Sequence, residues 1–466
     1  MIQIFNHYVP GRLILLAALE TLVMLIAVCV SLFLQLAGSA EPISGMGVGE
    51  IVPPQAVALT LGMVMAISSM GLYQVELGYN NRSVVARLIA AFLLGFAVTW
   101  LVSYLVPSLH LGPVALGTTV IAALAGSVLV RAAFHKWNNA GALKSRVLVM
   151  GTGSRVTRLA EYAQSNPNHQ VIGYIALQPS QHYVPSAHVI PVTQGESLLS
   201  VVKKHAIDEI VLGVRDRRGG GLPVQQLLEC KMNGVKVIEL PNFFEREHRQ
   251  VLLESLNPSW MILGDGFRQG YFVNAVKRLF DLTMSGALLV LALPVMLVAA
   301  LCIFLEGGGP VLYRQERVGQ GGRVFTLYKL RSMRNEAESD GTPQWATVND
   351  DRTTLVGRFI RKWRIDELPQ VYNVFLGEMS FVGPRPERPG FVDQLVKQIP
   401  YYALRHKLKP GITGWAQVRY PYGASVDDAI EKLQYDLYYV KNHGLFLDLM
   451  VLISTVEVVL WGRGAR

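Results

Sequence analysis

Cysteine and charged residues are both scarce in this chain. Among 466 residues there are three cysteines, and charged residues make up 17%. Cys29, Cys230 and Cys302 lie far apart and form no C-x-x-C pair, which argues against a disulfide framework and against a zinc site. The shortage of charge, together with 51% hydrophobic residues, indicates a membrane protein with soluble parts.

The chain also lacks any signature of a nucleic-acid-binding fold, although its formal net charge is +9. A net positive charge of this size is typical of proteins that bind nucleic acid, an anionic membrane surface or phosphorylated substrates. The membrane character favours the last two partners, and we expect no nucleic acid.

Lysine and arginine are absent from two N-terminal stretches, 38–54 and 107–112. Around them lie four apolar segments, each approaching the roughly 20 residues that a spanning helix needs, at about 13–37, 55–75, 84–106 and 113–134. Basic residues flank the other segment ends: Arg12, Arg82, Arg87, Arg131, Lys136, Lys144 and Arg146. The positive-inside rule therefore predicts a four-helix transmembrane domain, 1–137, with both ends in the cytoplasm. We expect no charge in mid-membrane, and hence an anchor or dimerisation unit.

Residues 144–262 alternate between strand-like and helix-like stretches, which predicts a parallel α/β sheet. Strands are expected at 146–150, 171–176, 209–213 and 235–239. A turn at Gly151–Ser154 resembles the start of a dinucleotide-binding fingerprint, but Val156 stands where the third glycine would be. A structural or regulatory Rossmann-like module is favoured, and true nucleotide binding is the alternative.

The apolar stretch 284–305 is long enough to cross the membrane, yet both of its flanks are basic. Lys277 and Arg278 precede it, and Arg314 and further cations follow it. Pro294 removes one backbone hydrogen bond near the middle and can bend a helix. We therefore predict a re-entrant membrane helix over 274–306, with Pro294 in a structural role.

Two adjacent carboxylates, Asp366 and Glu367, form the strongest candidate site. They lie among four cations, Arg358, Arg361, Lys362 and Arg364. Pro369 suits the first turn of a helix and apolar residues recur at helical spacing after it, so the pair is expected to open a helix. A carboxylate nucleophile beside a carboxylate metal ligand, ringed by cations, suits phosphoryl transfer from a diphosphate. The alternative is that Asp366 only caps the helix and the arginines form a solvated face.

The motifs of residues 274–461 make the chain resemble the bacterial sugar transferases, the monotopic polyprenyl-phosphate phosphoglycosyl transferases of cell-surface polysaccharide synthesis. They run in family order: Lys277-Arg278 with Asp281, Gly309-Pro310-Val311, Arg314-Gln315-Glu316-Arg317-Val318-Gly319, Lys329-Leu330-Arg331-Ser332-Met333, Asp366-Glu367-Leu368-Pro369-Gln370, Gly383-Pro384-Arg385-Pro386, Lys409-Pro410-Gly411-Ile412-Thr413-Gly414-Trp415-Ala416-Gln417-Val418, Asp436-Leu437-Tyr438-Tyr439 and Asp448-Leu449. The whole-chain plan is similar to the large members tied to exopolysaccharide export. One departure is Arg419-Tyr420-Pro421, where many relatives carry Asn-Gly-Arg, so no substrate-binding role is carried over there.

The resemblance implies a reaction and a set of residues. A sugar 1-phosphate, expected to be a hexose 1-phosphate, passes from a UDP-sugar to undecaprenyl phosphate, giving undecaprenyl-diphosphate-sugar and UMP. Asp366 is implied as the nucleophile that forms an aspartyl-phosphate intermediate, and Glu367 as the ligand of Mg²⁺. Substrate-binding roles are implied for Lys329, Arg331, Arg385, Arg405, Asp436 and Asp448, and structural roles for Pro384 and Pro386. Plainer readings are a solvated strand edge for Lys329 and Arg331, an ion pair for Asp436 and a helix cap for Asp448.

The predicted fold is an α/β membrane protein. It comprises the four-helix transmembrane bundle, the Rossmann-like (CoA-binding-like) module, the re-entrant helix, and a small α/β catalytic domain at 307–466. Its last stretch, 445–461, contains Asp448 and Glu457 and is expected to be an interfacial amphipathic helix. We expect a multi-pass protein of the bacterial inner membrane whose catalytic domain faces the cytoplasm, with a homodimer as one arrangement. The sequence does not identify the sugar.

Two other functions are compatible with parts of the chain. A nucleotide-sugar dehydratase of the short-chain dehydrogenase type would need a Y-x-x-x-K pair downstream of the α/β module, and the sequence has none. A non-catalytic membrane scaffold that senses nucleotides would not need the motifs around Asp366. An activity assay separates the scaffold from the transferase.

Overall fold

The structure is a computed structural model that describes residues 2–4, 7–38, 53–73, 81–106, 113–139, 144–153, 156–157, 159, 169–177, 189–190, 197–213, 222–256, 266–267, 270–334, 352–420, 423 and 425–460. The chain divides into two compact units, one of residues 1–130 with 265–466 and one of residues 131–264. The two ends of the chain therefore fold together, and the region between them is a separate unit.

A short antiparallel hairpin, β1 (Ile2–Ile4) and β2 (His7–Val9), precedes the apolar helices. These are α1 (Gly11–Gly38), α2 (Pro54–Ser69), α3 (Asn81–Leu105) and α4 (Pro113–Asn139), called the four-helix bundle below. They share one buried core, to which Met24, Leu59, Phe92 and Leu116 each contribute from a different helix. By length and composition α1, α3 and α4 can cross a membrane, whereas α2 has only 16 residues. The predicted helices are present, and the second is shorter than expected.

Charged side chains lie inside this bundle, contrary to the sequence-based expectation. Glu20 of α1 is fully buried and accepts a 2.7 Å hydrogen bond from the Tyr73 hydroxyl, just after α2. Arg87, expected in a loop, lies within α3, is 4% exposed and donates to the Met70 carbonyl at 2.8 Å. The expectation of no internal charge is wrong because these groups have polar partners, without which their burial would be very costly.

A parallel sheet organises the unit at 131–264. Its strands are β3 (Ser145–Met150), β4 (His169–Ile175), β5 (Glu209–Leu212) and β6 (Lys236–Glu239), in the order β4-β3-β5-β6. The helices α5 (Leu198–Lys204), α6 (Val224–Met232) and α7 (Leu240–His248) alternate with the later strands. Val147 and Val149 belong to one buried cluster and Leu148 and Met150 to another, so both faces of β3 are covered. The predicted parallel α/β sheet is confirmed.

Val156 packs against this sheet at the place where the dinucleotide-binding fingerprint has its third glycine. Its side chain is fully buried, and a Cβ added to Gly213 would overlap one of its methyl groups. The glycine that permits close packing is therefore Gly213, which follows β5 and faces the Val156 side chain. A structural or regulatory role stays the prediction for this unit, with nucleotide binding as the alternative.

Arg246 of α7 joins two buried carboxylates in the same unit. Its guanidinium donates to both oxygens of Glu209, at 2.6 and 2.8 Å, and its Nε donates to Glu247 at 2.7 Å. Burial alone would raise the pKa of Glu247, but His169 and Arg246 hold it at about 2.

Replacing Arg246 should therefore destabilise the α/β unit. Arg246→Ala leaves both carboxylates buried without the guanidinium, so we expect the free energy of unfolding to fall by about 3–5 kcal/mol. Scanning calorimetry of the full chain would measure the change, with the exposed Lys231→Ala as the matched control. Equal melting of the two variants would contradict the prediction.

The C-terminal segment, residues 270–460, begins with α8 (Tyr271–Gly307), a helix of 37 residues that contains Pro294. An antiparallel hairpin of β7 (Leu312–Val318) and β8 (Val324–Leu330) follows. A parallel pair, β9 (Ser380–Val382) and β10 (Gly411–Thr413), lies further on. The remaining helices are α9 (Leu355–Lys362), α10 (Gln370–Leu376), α11 (Pro389–Gln398), α12 (Trp415–Arg419), α13 (Val426–Asn442) and α14 (Leu445–Leu460).

Both ends of α8 contact later elements of the C-terminal segment. Arg278 donates at 2.8 Å to the carbonyls of Val374 and Phe375 at the end of α10. Glu306, near the other end, accepts hydrogen bonds from the first backbone amides of α9. Between them Val290, Leu291 and Leu297 are 73%, 75% and 61% exposed. The middle of α8 thus presents apolar surface, while both ends are attached.

The C-terminal helix α14 differs from the amphipathic helix predicted there. Asp448 and Glu457, expected on a polar face, are 1% and 4% exposed. Asp448 pairs with Lys277 and lies 2.6 Å from the Tyr439 hydroxyl, and Glu457 pairs with Arg87 at 2.7 Å. The prediction of a polar face is wrong because both acids meet polar groups of other elements instead of water.

His7 of β2 is buried in the C-terminal segment. Its ring centroid lies 5.5 Å from that of Trp415 and 5.8 Å from that of Tyr438. Its Nδ1 is 2.9 Å from the Tyr438 hydroxyl. The first residues of the chain are therefore part of the core that surrounds α12 and α13.

Candidate active site

Asp366 and Glu367 lie in a 3₁₀ turn, Ile365–Glu367, between α9 and α10. Arg364, just before the turn, has a left-handed φ of 54°, which is costly for a residue with a Cβ. Strain of this kind persists only where the surrounding structure holds it. The helix predicted to open at the carboxylates begins at Gln370 instead, because the chain completes the tight turn first.

Three cations surround Glu367. Lys329 on β8 lies 3.1 Å from one carboxylate oxygen, and Arg364 lies 3.2 Å from the other. The guanidinium of Arg385 is 3.9 Å away. Burial alone would raise the pKa of Glu367, but these cations hold it below its ordinary value. Glu367 therefore stays ionised.

Asp366 has a different environment from its neighbour. Its side chain is buried, and in the part of the chain that the structure describes its carboxylate accepts no hydrogen bond. Burial and the charge of Glu367 raise the pKa of Asp366 to about 6, although Lys329 and nearby arginines oppose this. Glu367 is anchored by cations, whereas Asp366 is left to react. This asymmetry suits a nucleophile, Asp366, beside a carboxylate that stays ionised, Glu367.

Asn373 fixes the distance between β8 and the turn. Its amide nitrogen donates to the Thr326 carbonyl at 2.8 Å and to Glu378 at 2.7 Å, and its oxygen accepts from the Tyr328 amide at 3.2 Å. Lys329 follows directly on the strand, so these bonds set its position relative to Glu367. The sequence reading missed Asn373, because one asparagine in an amphipathic helix carries no recognisable signal.

The loop that presents Arg385 is held at four consecutive backbone carbonyls. The carbonyls of Pro384, Arg385, Pro386 and Glu387 accept, in that order, from the Gly411 amide at 3.0 Å, from Arg405 at 2.9 Å, from Arg317 at 2.9 Å and from the Val318 amide at 2.9 Å. The two prolines have no N–H that would need a partner. The loop therefore holds Arg385 near Glu367. Because its backbone is already ordered, ligand binding would cost little conformational entropy there.

Arg405 and Asp436, predicted to bind substrate, form a buried ion pair with each other. Their charged atoms are 2.8 Å apart, and the residues are 5% and 1% exposed. Arg405 also donates to the Arg385 carbonyl and, at 2.7 Å, to the Tyr402 hydroxyl. Both side chains are enclosed, and the Arg405 contact supports the Arg385 loop. The ion pair of the plainer reading of Asp436 is present, and substrate binding by Arg405 or Asp436 stays a prediction.

Arg331 and Asp448 contact α8 or its flanks. Arg331 donates to the Gly308 carbonyl at 2.7 Å, at the C-terminal end of α8, where a cation is favoured. Asp448 binds Lys277 near the start of α8. These contacts give both side chains an anchoring role, and substrate binding by either stays a prediction.

Four of the residues predicted from sequence come together around one point: Asp366, Glu367, Lys329 and Arg385. Pro384 and Pro386 flank Arg385 in its loop, and Pro294 lies within α8. Arg364 belongs to the same group through its contact with Glu367. The arrangement is a charged site suited to a phosphate-containing ligand.

Comparisons with known proteins show the family of the chain. The family described as bacterial sugar transferase matches residues 272–462. A UDP-N-acetylgalactosamine-undecaprenyl-phosphate N-acetylgalactosaminephosphotransferase of Aeromonas hydrophila is 40% identical over 259 residues, 56% of this chain and 60% of that one. A UDP-glucose:undecaprenyl-phosphate glucose-1-phosphate transferase of Xanthomonas campestris pv. campestris is 30% identical over 434 residues, 88% of each chain. A Klebsiella pneumoniae protein with that same name is 37% identical over 267 residues, 56% of each.

The fold and the site define a membrane-associated protein with two adjacent carboxylates among cations. One of them is anchored by these cations, and the other accepts no hydrogen bond from the residues that the structure describes. The chain belongs to the bacterial sugar transferases. Its similarity extends over most of the Xanthomonas relative and over 60% of the Aeromonas relative.

Proposed function

We propose that this protein transfers a sugar 1-phosphate from a UDP-sugar to undecaprenyl phosphate, giving undecaprenyl-diphosphate-sugar and UMP. The observation that carries the proposal is the contrast between Asp366, without a hydrogen bond in the described part of the chain, and Glu367, held by Lys329 and Arg364. The relatives' names support it, since each specifies a UDP-sugar and undecaprenyl phosphate. The reaction would be the first membrane step of a surface glycan such as an exopolysaccharide.

The chemistry follows from the two carboxylates. An oxygen of Asp366 forms a bond to the β-phosphorus of the UDP-sugar, the bond from that phosphorus to the bridging oxygen breaks, and UMP leaves with the electron pair. The phosphate of the lipid then attacks the same phosphorus and releases the Asp366 carboxylate. Lys329 and Arg385 lie where they can stabilise the phosphoryl oxygens. Two steps allow a soluble donor and a lipid acceptor to use one site in turn.

Magnesium is the metal that suits this donor set. Glu367 supplies hard carboxylate oxygens beside Asp366, and substrate phosphates can provide further ligands. Within the ranges that the structure describes, no three His, Cys, Asp or Glu side chains form a dedicated metal cage. Few protein ligands are the usual pattern for Mg²⁺ bound together with a phosphorylated substrate. When bound, the ion would neutralise diphosphate charge, and Glu367 would hold it.

The C-terminal segment is proposed to face the cytoplasm from the bacterial inner membrane. The positive-inside rule places the start of α1 and the α2–α3 connection in the cytoplasm. His7 and Arg87 lie at these ends, and their partners Tyr438 and Glu457 belong to the C-terminal segment. Because both ends of α8 are attached to that segment, a re-entrant course is supported for this helix.

The sugar, the role of the α/β unit and the oligomeric state complete the proposal. A hexose 1-phosphate is proposed, and the relatives' names divide between glucose and N-acetylgalactosamine. The α/β unit is proposed to be structural or regulatory, because Val156 fills the position of the third glycine. A homodimer of the full chain is the proposed assembly.

Purified, detergent-solubilised protein tests the reaction directly. It would be incubated with Mg²⁺, undecaprenyl phosphate and, in turn, UDP-glucose, UDP-galactose, UDP-N-acetylglucosamine and UDP-N-acetylgalactosamine. We expect sustained UMP release with one preferred donor, and release that requires the lipid after the first turnover. Folded protein that releases no UMP from any of these donors would contradict the proposal.

A further inference from the structure

Helix α14 lies between the four-helix bundle and the strand that supports the Arg385 loop. Glu457 of α14 pairs with Arg87 of α3 at 2.7 Å, and both side chains are 5% exposed. Thr455, two residues earlier, has its hydroxyl 2.7 Å from that of Thr413 on β10. Each residue of an α-helix is rotated by about 100° from the last, so these two side chains point in nearly opposite directions. The last turns of α14 are therefore held from both sides.

The bundle provides a fitted recess for Glu457. Arg87 binds the Met70 carbonyl at 2.8 Å while it binds Glu457, so the guanidinium joins the end of α2 to α14. Gly71 follows with φ 73°, and a Cβ there would overlap the Glu457 carboxylate. Two residues of the bundle region, the cation Arg87 and the glycine Gly71, thus accommodate Glu457 of the C-terminal segment.

On its other side α14 is connected to the candidate site through Thr413 of β10. Thr413 accepts a 2.9 Å hydrogen bond from the Gly383 amide through its carbonyl. Gly383 begins the loop that presents Arg385, and Arg385 lies 3.9 Å from Glu367. A displacement of α14 would move Thr413, then Gly383 and then Arg385, because consecutive members of this series are in direct contact or in the same loop.

We propose that Arg87 of α3 is a positioning residue for the Arg385 loop, acting through Glu457 and α14. The bundle is then part of what sets the geometry of the site, in addition to being an anchor. Removal of one member of a buried ion pair leaves the other charge uncompensated, so α14 has to shift or admit water when Arg87 is lost. The activity readout of this inference rests on the proposed transferase function.

The test uses the full-length protein in detergent. The variants are Arg87→Ala, Arg87→Lys, Glu457→Gln, and the exchange of Arg87→Glu together with Glu457→Arg. Lys136→Ala, an exposed cation on α4, is the matched control. Three quantities are measured: kcat and KM for the preferred UDP-sugar by UMP release, the melting temperature, and hydrogen–deuterium exchange of the amides in 380–383 and 411–414.

For Arg87→Ala we expect kcat to fall between about tenfold and 100-fold, as a misplacement far from the chemistry can produce. Amide exchange at 380–383 should become faster, Arg87→Lys should recover part of the rate, and the charge exchange should turn over faster than both Arg87→Ala and Glu457→Gln. Lys136→Ala should match the wild type. A folded Arg87→Ala protein with a lower melting temperature but unchanged kcat, KM and exchange would overturn the inference, because Arg87 would then only stabilise the fold.

Failure of the inference is distinguishable from failure of the proposed function. If the wild type releases no UMP with any donor, the transferase proposal fails, yet exchange at 380–383 and 411–414 still decides whether Arg87 positions the loop. If the wild type is active and Arg87→Ala retains its rate and exchange pattern, only the inference fails.

Discussion

Asp366→Asn protein is expected to fold like the wild type and to release UMP at least about 10⁴-fold more slowly, the scale of losing a covalent nucleophile. An amide nitrogen or oxygen at this position cannot form the acyl phosphate that the two-step scheme requires. The fold should tolerate the change because asparagine has nearly the volume of aspartate. In the described residues no hydrogen-bond donor would be left without its acceptor.

Three measurements on Asp366→Asn separate catalysis from folding. UMP release gives the rate, calorimetry gives the melting temperature, and a donor labelled at the β-phosphorus shows whether label stays covalently on the protein. The exposed Asp393→Asn on α11 is the matched control and should behave like the wild type. An Asp366→Asn protein that still traps label or turns over within about tenfold of the wild type would exclude Asp366 as the nucleophile.

Glu367→Gln should have a second, different signature. We expect UMP release to fall by about 10²–10³-fold, since the carboxylate that is proposed to hold Mg²⁺ and that contacts Lys329 is lost. Stability should also fall, by about 3 kcal/mol, because Lys329 would remain 20% exposed in its side chain without the carboxylate that it contacts at 3.1 Å. The neighbouring residues thus differ: one substitution removes activity alone, and the other removes activity and stability.

Magnesium titration provides a further test of Glu367→Gln. If Glu367 holds the ion, the variant should need a higher Mg²⁺ concentration for half-maximal rate than the wild type does. The exposed Glu316→Gln on β7 is the matched control and should leave both the titration and the melting temperature unchanged. A Glu367→Gln protein with wild-type stability and wild-type magnesium response would remove both roles from this residue.

The centre of the site could be predicted from sequence because its key groups are neighbours in the chain. Asp366 and Glu367 are adjacent, and the motifs with Lys329 and Arg385 have a recognisable order. What could not be predicted is which of the charged side chains form buried ion pairs with one another. Arg405 and Asp436 also lie in family motifs, yet they become a buried pair because α13 brings them together. Sequence shows that such a charge is present, and only the packing shows whether water or ligand can reach it.

The same limit explains the errors in the membrane part. A rule that counts lysine and arginine in loops assigned Arg87 to a loop, and an average over an apolar run concealed Glu20. Both residues are compatible with apolar surroundings only because Tyr73, Met70 and Glu457 provide polar partners. These partners lie far away in sequence, so no local window contains them. The parallel sheet of the α/β unit was easier to predict, since strand–helix alternation is a local signal.

The buried position of His7 has a consequence for how the protein is made. His7 and its partner Tyr438 are separated by 431 positions. At roughly 5–20 residues per second a ribosome needs on the order of tens of seconds to make the chain between them. The first helices therefore reach the bilayer long before the side chains that enclose His7 exist, and that contact forms only near the end of synthesis. A fusion tag placed before Ile2 would consequently disturb the last part of the protein to fold, around Trp415 and Tyr438, more than the helices next to it.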